Sequence, residues 1–203
     1  MSPDVPRVCV LGPDVAANEP LQQLVRRAGW KLQSFASAAE FLACQRPSAP
    51  SCLILDASLP DDTCLDVQEQ LASEGAVMPV ILFTSGNCDL RMMVRAMKAG
   101  ALEVLMKPFS DDLLLDAIRH GLDRSRALLD ERTGMRLLKG CYDSLTMRER
   151  EVMQLVVQGL RNKQVAGELE ISEITVKVHR GNAMRKMQAG SLADLVRMAA
   201  QLN

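Results

Sequence analysis

Short apolar runs alternating with amphipathic stretches fill the first 125 residues, and this alternation constrains the chain more than any other feature. The runs Arg7–Leu11, Lys31–Ser34, Cys52–Asp56, Val80–Thr84 and Glu103–Met106 read as strands. Between and after them, stretches near Pro20–Ala28, Ala38–Gln45, Leu65–Ser73, Leu90–Ala99 and from Asp111 onward read as helices. A strand that is always followed by a helix returns parallel to itself, so helices cover both faces of one sheet. Five such units predict an α/β domain with a flavodoxin-like, doubly wound, five-stranded parallel sheet. Ser37 and Asp111 stand where helices need N-caps, and Gly29 and Gly100 where helices stop. The crevice of such a sheet lies at the carboxyl ends of its strands. That rule picks out Gly12–Asp14, Asp56, Thr84–Ser85 and Lys107.

From Asp111 the helical pattern continues past Gly121 into a stretch polar on most faces, which reads as a connecting helix broken near Thr133–Gly134. After Cys141 the pattern is helical throughout. Thr146 with Glu149 three residues on forms a capping box for a helix over Arg148–Gln158, which stops at Gly159. Asn162 and Ser172 are placed to cap two further helices, and a fourth begins near Ser191. A short helix, a tight turn and a helix rich in Lys, His and Arg outline an all-α helix-turn-helix domain. The division is therefore residues 1–125, a helical linker over 126–141, and residues 142–203.

Charge follows the same division. Residues 1–125 carry 11 basic and 16 acidic side chains, whereas residues 139–203 carry 10 and 7. The excess at the back permits a nucleic-acid partner without establishing one. No apolar run approaches the ~18 residues that span a bilayer, and the start MSPDVPRVCV makes a poor secretion signal. Six cysteines lack CxxC or Cys/His ligand spacing. A cytoplasmic protein with reduced thiols and no membrane association is expected. A Cys64–Cys88 redox pair competes with a plain packing role for both residues.

Asp56 ends the buried run CLILD, where a carboxylate faces the crevice and can attack a phosphoryl donor. Lys107 at the end of the last strand can pair with the resulting charge, and Thr84 can hydrogen-bond a phosphoryl oxygen. Three complementary groups at neighbouring strand ends outweigh the reading of each as a loop cap. The stretches LILDASLPDDTCLD, PVILFTS and VRAMKAGALEVLMKPF resemble the receiver domain of two-component response regulators over residues 5–125. The resemblance implies Asp56 as phospho-acceptor, Thr84 as switch hydroxyl and Lys107 as phosphate partner. Counting back from Lys107 leaves Ser85 open in place of Thr84. It also implies a sensor histidine kinase as partner and Mg²⁺ as cofactor. Gly12 and Pro13 stand where such receivers carry their metal-binding acidic pair, so Mg²⁺ binding is expected to be weak. Val104 replaces the aromatic switch residue and Cys64 a glycine, which marks the receiver as atypical.

The segment from Leu145 to Ala199 resembles the DNA-binding domain of LuxR/FixJ-type regulators. Lys177 and Arg180 are read as base-facing, with Val178 and Gly181 allowing close approach to double-stranded DNA. Lys163, Thr175 and Arg185 are read as phosphate contacts. His179 is either structural or a base contact. The last helix resembles the dimerising element of these domains, so Leu192, Leu195 and Met198 are expected at a homodimer seam. The leading reading is a DNA-binding two-component transcription regulator and not an enzyme. Two others remain: a regulator whose receiver works without phosphorylation, as a dimerisation or ligand-responsive module, and a small phosphatase-like enzyme.

Overall fold

The computed structural model describes residues 5–12, 19–59, 63–85 and 90–202. The chain divides into two compact units, Met1–Asp130 and Glu131–Asn203.

The first unit is built on strands β1 (Arg7–Leu11), β2 (Lys31–Phe35), β3 (Ser51–Asp56), β4 (Val80–Thr84) and β5 (Ala101–Met106). They form one parallel sheet in the order β2-β1-β3-β4-β5, with Leu11 beside Leu55, Asp56 beside Phe83 and Thr84 beside Met106. Helices α1 (Glu19–Arg27), α2 (Ala38–Ala43), α3 (Thr63–Ser73), α4 (Leu90–Lys98) and α5 (Asp111–Asp143) connect or follow them. Successive strand residues point to opposite faces. Val8, Val10, Cys52 and Ile54 therefore join the core under α1 and α5, while Cys9, Leu11, Leu53 and Leu55 join the core on the α2–α4 side. Every residue of β3 is buried, as a central strand covered on both faces should be.

Helix α5 lies close on the sheet. A Cβ on Gly121 would stand 3.1 Å from Cys52 Cβ. One turn on, the buried Ser125 hydroxyl donates to Val77 O (2.6 Å) and accepts the Ser51 N–H (3.0 Å). Ser37 caps α2 as expected. Ser110, not Asp111, caps α5 by accepting the Leu113 N–H. The break expected near Thr133–Gly134 is absent, since α5 runs unbroken to Asp143. An interior glycine costs a helix only about 1 kcal/mol, and here apolar packing at both ends of α5 holds it helical.

In the second unit α6 (Met147–Val157), α7 (Asn162–Glu168), α8 (Glu173–Lys186) and α9 (Leu192–Leu202) pack around two small cores. Thr146 and Glu149 form the capping box on α6. Asn162 turns out to be the first residue of α7 and not its cap; Gln164 Oε1 accepts the Arg161 N–H there. Helices α6, α7 and α8 close alike, with a residue at positive φ (Gly159, Glu170, Gln188) and an N–H reaching back five residues. Ser172 caps α8, so only a short turn separates α7 from α8. No helix among the described residues is long and apolar enough to cross a membrane.

Candidate functional site

At the carboxyl end of the sheet, β3 delivers Asp56 and β5 leads into Lys107. Asp56 is buried. Its Oδ1 accepts the Ser58 N–H at 2.9 Å, and its Oδ2 accepts from Lys107 Nζ at 2.7 Å. Burial pushes the Asp56 carboxyl up, but the hydrogen bonds from Lys107 and Ser58 outweigh it and hold the group below the usual aspartate range. Asp56 is thus an anion at neutral pH, and an anion is what a phosphoryl acceptor must be. The Lys107 N–H also donates to Thr84 O at 2.7 Å, and the Lys107–Pro108 peptide is cis.

Thr84 is the last residue of β4, buried, with its hydroxyl donating to Ser85 O. Ser85 is the exposed residue just beyond the strand. The pairing of Thr84 with Met106, next to Lys107, places Thr84 at the crevice end of the sheet. Cys64 is buried, and its Sγ donates to Asp56 O at 3.2 Å. Cys88, Pro13 and Asp14 lie outside the described residues, and so does the Cys64–Cys88 pairing. Val104 is half-buried in β5 and packs against the α2–α4-side core. Gly12 has φ +145, and a Cβ built on it would stand 2.7 Å from Asp56 Cβ. The chain at the end of β1 therefore runs against the Asp56 side chain.

In the second unit α8 has two clean faces. Val176, Ala183 and Met187 are buried, whereas Ile174, Lys177, Val178, Gly181 and Arg185 form an exposed stripe on the other side. Lys177 Nζ lies 4.0 Å from Glu173 Oε1, an exposed pair of little energetic weight. Lys163 is exposed at the start of α7. Arg180 differs from Lys177: it is half-buried and its Nη1 donates to Asn162 Oδ1 at 3.2 Å, which ties α8 to the first turn of α7. Thr175 is half-buried and engaged with Ser172. His179 is half-buried. Arg180 and Thr175, both read as DNA contacts, are also engaged within the unit, with Asn162 and Ser172 respectively.

The family model "Response regulator receiver domain" matches residues 8–119, and "Bacterial regulatory proteins, luxR family" matches residues 143–199. Nodulation protein W of Bradyrhizobium diazoefficiens is 44% identical over 195 residues, covering 96% of this chain and 86% of that protein. The transcriptional regulatory protein FixJ of Azorhizobium caulinodans is 38% identical over 95% of this chain and 90% of its own length. The solved structure of the response regulator StyR is 42% identical, with a TM-score of 0.84 over 97% of this chain and 99% of that one. This chain is a response regulator with a LuxR-type DNA-binding domain. As a member it acts in transcription regulation, and Asp56 occupies the receiver site.

Membership implies Mg²⁺ in the crevice, and the residues described do not fit it. Mg²⁺ asks for an octahedral set of oxygens, with carboxylates among them. Gly12 supplies none, and Asp56 Cβ stands where a side chain on residue 12 would begin. Both Asp56 oxygens already accept hydrogen bonds. Among the described residues no three His, Cys, Asp or Glu side chains come together.

The last helix of the regulator corrects one expectation. Leu195 is 0% exposed and belongs to the unit's own core with Met153, Ala183 and Met187. It cannot also line a seam with a second copy. Met198 is half-buried against the same core. The large apolar side chains that α9 exposes are Leu192 and Val196, about 40% open and one turn apart. A period of apolar residues on a helix does not say which of two neighbouring stripes faces inward. Ser58 was missed because it lies two residues past the end of β3, in a turn that the strand-end rule does not reach.

Proposed function

We propose that this regulator binds double-stranded DNA as a homodimer through the exposed face of α8, and that its unmodified form is already competent to do so. The observation that carries the second part is Gly12 against Asp56: a Cβ there would be 2.7 Å from Asp56 Cβ, where a receiver needs a metal-binding carboxylate. Lys107 neutralises Asp56 instead, at 2.7 Å. Phosphoryl transfer to a carboxylate is helped by a cation that offsets charge as the group moves. With that help missing, acquisition of phosphate at Asp56 is slow. Val104 offers no ring to report a phosphorylated state.

On this reading Lys163, Lys177 and Arg185 meet the DNA from the exposed side of α7 and α8, with Val178 and Gly181 allowing close approach. Leu192 and Val196 meet a second copy. The protein works in the cytoplasm, and a sensor histidine kinase is the partner its receiver type brings. An enzymatic reading has less support, since the described crevice holds a nucleophile with no acidic partner placed for proton transfer.

The test treats wild type and Asp56→Ala with acetyl phosphate and Mg²⁺, then measures intact mass and DNA affinity. The proposal expects no stoichiometric phosphoryl adduct and equal affinity for both proteins. Rapid, complete phosphorylation of wild type with a large gain in affinity would overturn it.

A further inference from the structure

Ile174 is the second residue of α8 and 74% exposed; Val178, one turn on, is 56% exposed. A single aliphatic side chain on a surface is ordinary. Two β-branched ones at i and i+4, on the face opposite the buried Val176 and Ala183, form a small apolar pad that nothing in their own unit covers. Neither gains the helix anything, since β-branched residues are middling helix formers. Charged side chains flank the pad: Lys177 shares its turn and lies 4.0 Å from the exposed Glu173, and Arg185 lies on the same stripe about 16 Å further along the helix axis. An apolar pad at the amino-terminal end of a helix that enters a groove faces the floor of that groove, while Lys177 and Arg185 reach toward its phosphate walls. The floor of the major groove offers one apolar group of size, the C5 methyl of thymine.

We infer that Ile174 is a specificity-determining residue, packing with Val178 on thymine methyl groups and so selecting thymine at one or two positions of the DNA site. This rests on the DNA-binding reading above and adds the base it prefers. Lys177 then supplies hydrogen bonds and charge beside the pad, and the open Gly181 lets the helix sink far enough for the methyl contact.

The experiment uses the full chain and a duplex selected from a randomised pool, with and without acetyl phosphate. Each thymine of the selected duplex is replaced singly by deoxyuridine, which keeps the base pair and removes only the methyl. Wild type loses about fourfold in affinity at one or two positions, the weight of one buried methyl-sized group. Ile174→Ala keeps its fold, binds the thymine duplex about fourfold more weakly, and no longer distinguishes thymine from deoxyuridine at one of those positions. A merely structural role would not erase that difference at one position alone. If Ile174→Ala keeps the wild-type thymine preference everywhere, or wild type shows none, the inference is overturned while DNA binding stands. If no duplex is enriched in either condition, the DNA-binding reading falls and this inference with it.

Discussion

Lys107 Nζ lies 2.7 Å from Asp56 Oδ2, so the buried carboxylate of the receiver site is already paired with a cation. Removing one partner of such a pair leaves a buried charge uncompensated. Lys107→Met should therefore destabilise the first unit at pH 7 by about 1–2 kcal/mol, below the cost for a fully buried pair because Lys107 is 38% open to water. Urea unfolding checks this, and in an Asp56→Asn background the loss should largely vanish.

In the second unit Glu149 Oε2 accepts from Lys186 Nζ at 2.6 Å and from the Thr146 N–H at 2.8 Å. The Lys186 hydrogen bond, followed by the Thr146 N–H, holds the Glu149 carboxyl below the usual glutamate range. A group depressed on folding stabilises above its unfolded value, about 4.3, and that stabilisation is lost as pH falls through the folded value. Thermal unfolding from pH 7 to pH 3 should show wild type above Glu149→Gln at neutrality and the two converging in acid. A constant gap would mean that Glu149 contributes by shape alone.

Gly12→Ala places a Cβ where the structure has no room and a side chain where φ is +145. The backbone alone should cost roughly 1–3 kcal/mol, before the clash with Asp56 is added. Gly12→Asp should show the same loss and no gain in Mg²⁺ affinity by calorimetry. Tight Mg²⁺ binding by that variant would show that the end of β1 can rearrange.

Leu195→Arg should unfold the second unit, because it forces a charge into a site with no exposure. Val196→Arg should leave the fold intact and weaken cooperative occupancy of a duplex with two half-sites. Circular dichroism and band-shift titrations separate the two effects, and full cooperativity in Val196→Arg would move the dimer contact off α9.

Lys163→Ala should weaken binding to every DNA sequence and reduce its salt dependence, as loss of a phosphate contact does. Lys177→Ala should cost about 1–3 kcal/mol on the selected site and less on others. Glu173→Gln frees Lys177 from its 4.0 Å partner and removes an anion from the DNA side, so affinity should rise, most at low salt.

The sheet and its crevice were readable because central strands covered on both faces are continuous apolar runs, with Asp56 and Thr84 closing β3 and β4 and Lys107 following β5 at the same edge. Asp56 and Lys107 were found by that rule alone. The unbroken α5 was not, because Gly134 and Thr133 carry a local stop signal that packing at both ends of the helix overrides. Arg180, read as base-facing from its three-residue spacing to Lys177, also reaches Asn162, since that spacing leaves the two side chains about 60° apart on the helix. Spacing finds a face. It does not find the partner waiting beside it.

Gly12 has one more consequence. Every other residue at that position meets Asp56 Cβ first, so a carboxylate introduced there by a single substitution costs stability before it can hold a metal. The backbone would have to move first, and a backbone that moves without the carboxylate gains nothing. The glycine is in that sense self-preserving: positions elsewhere on the receiver can vary without this cost, whereas a change toward an acidic side chain at residue 12 meets it at once.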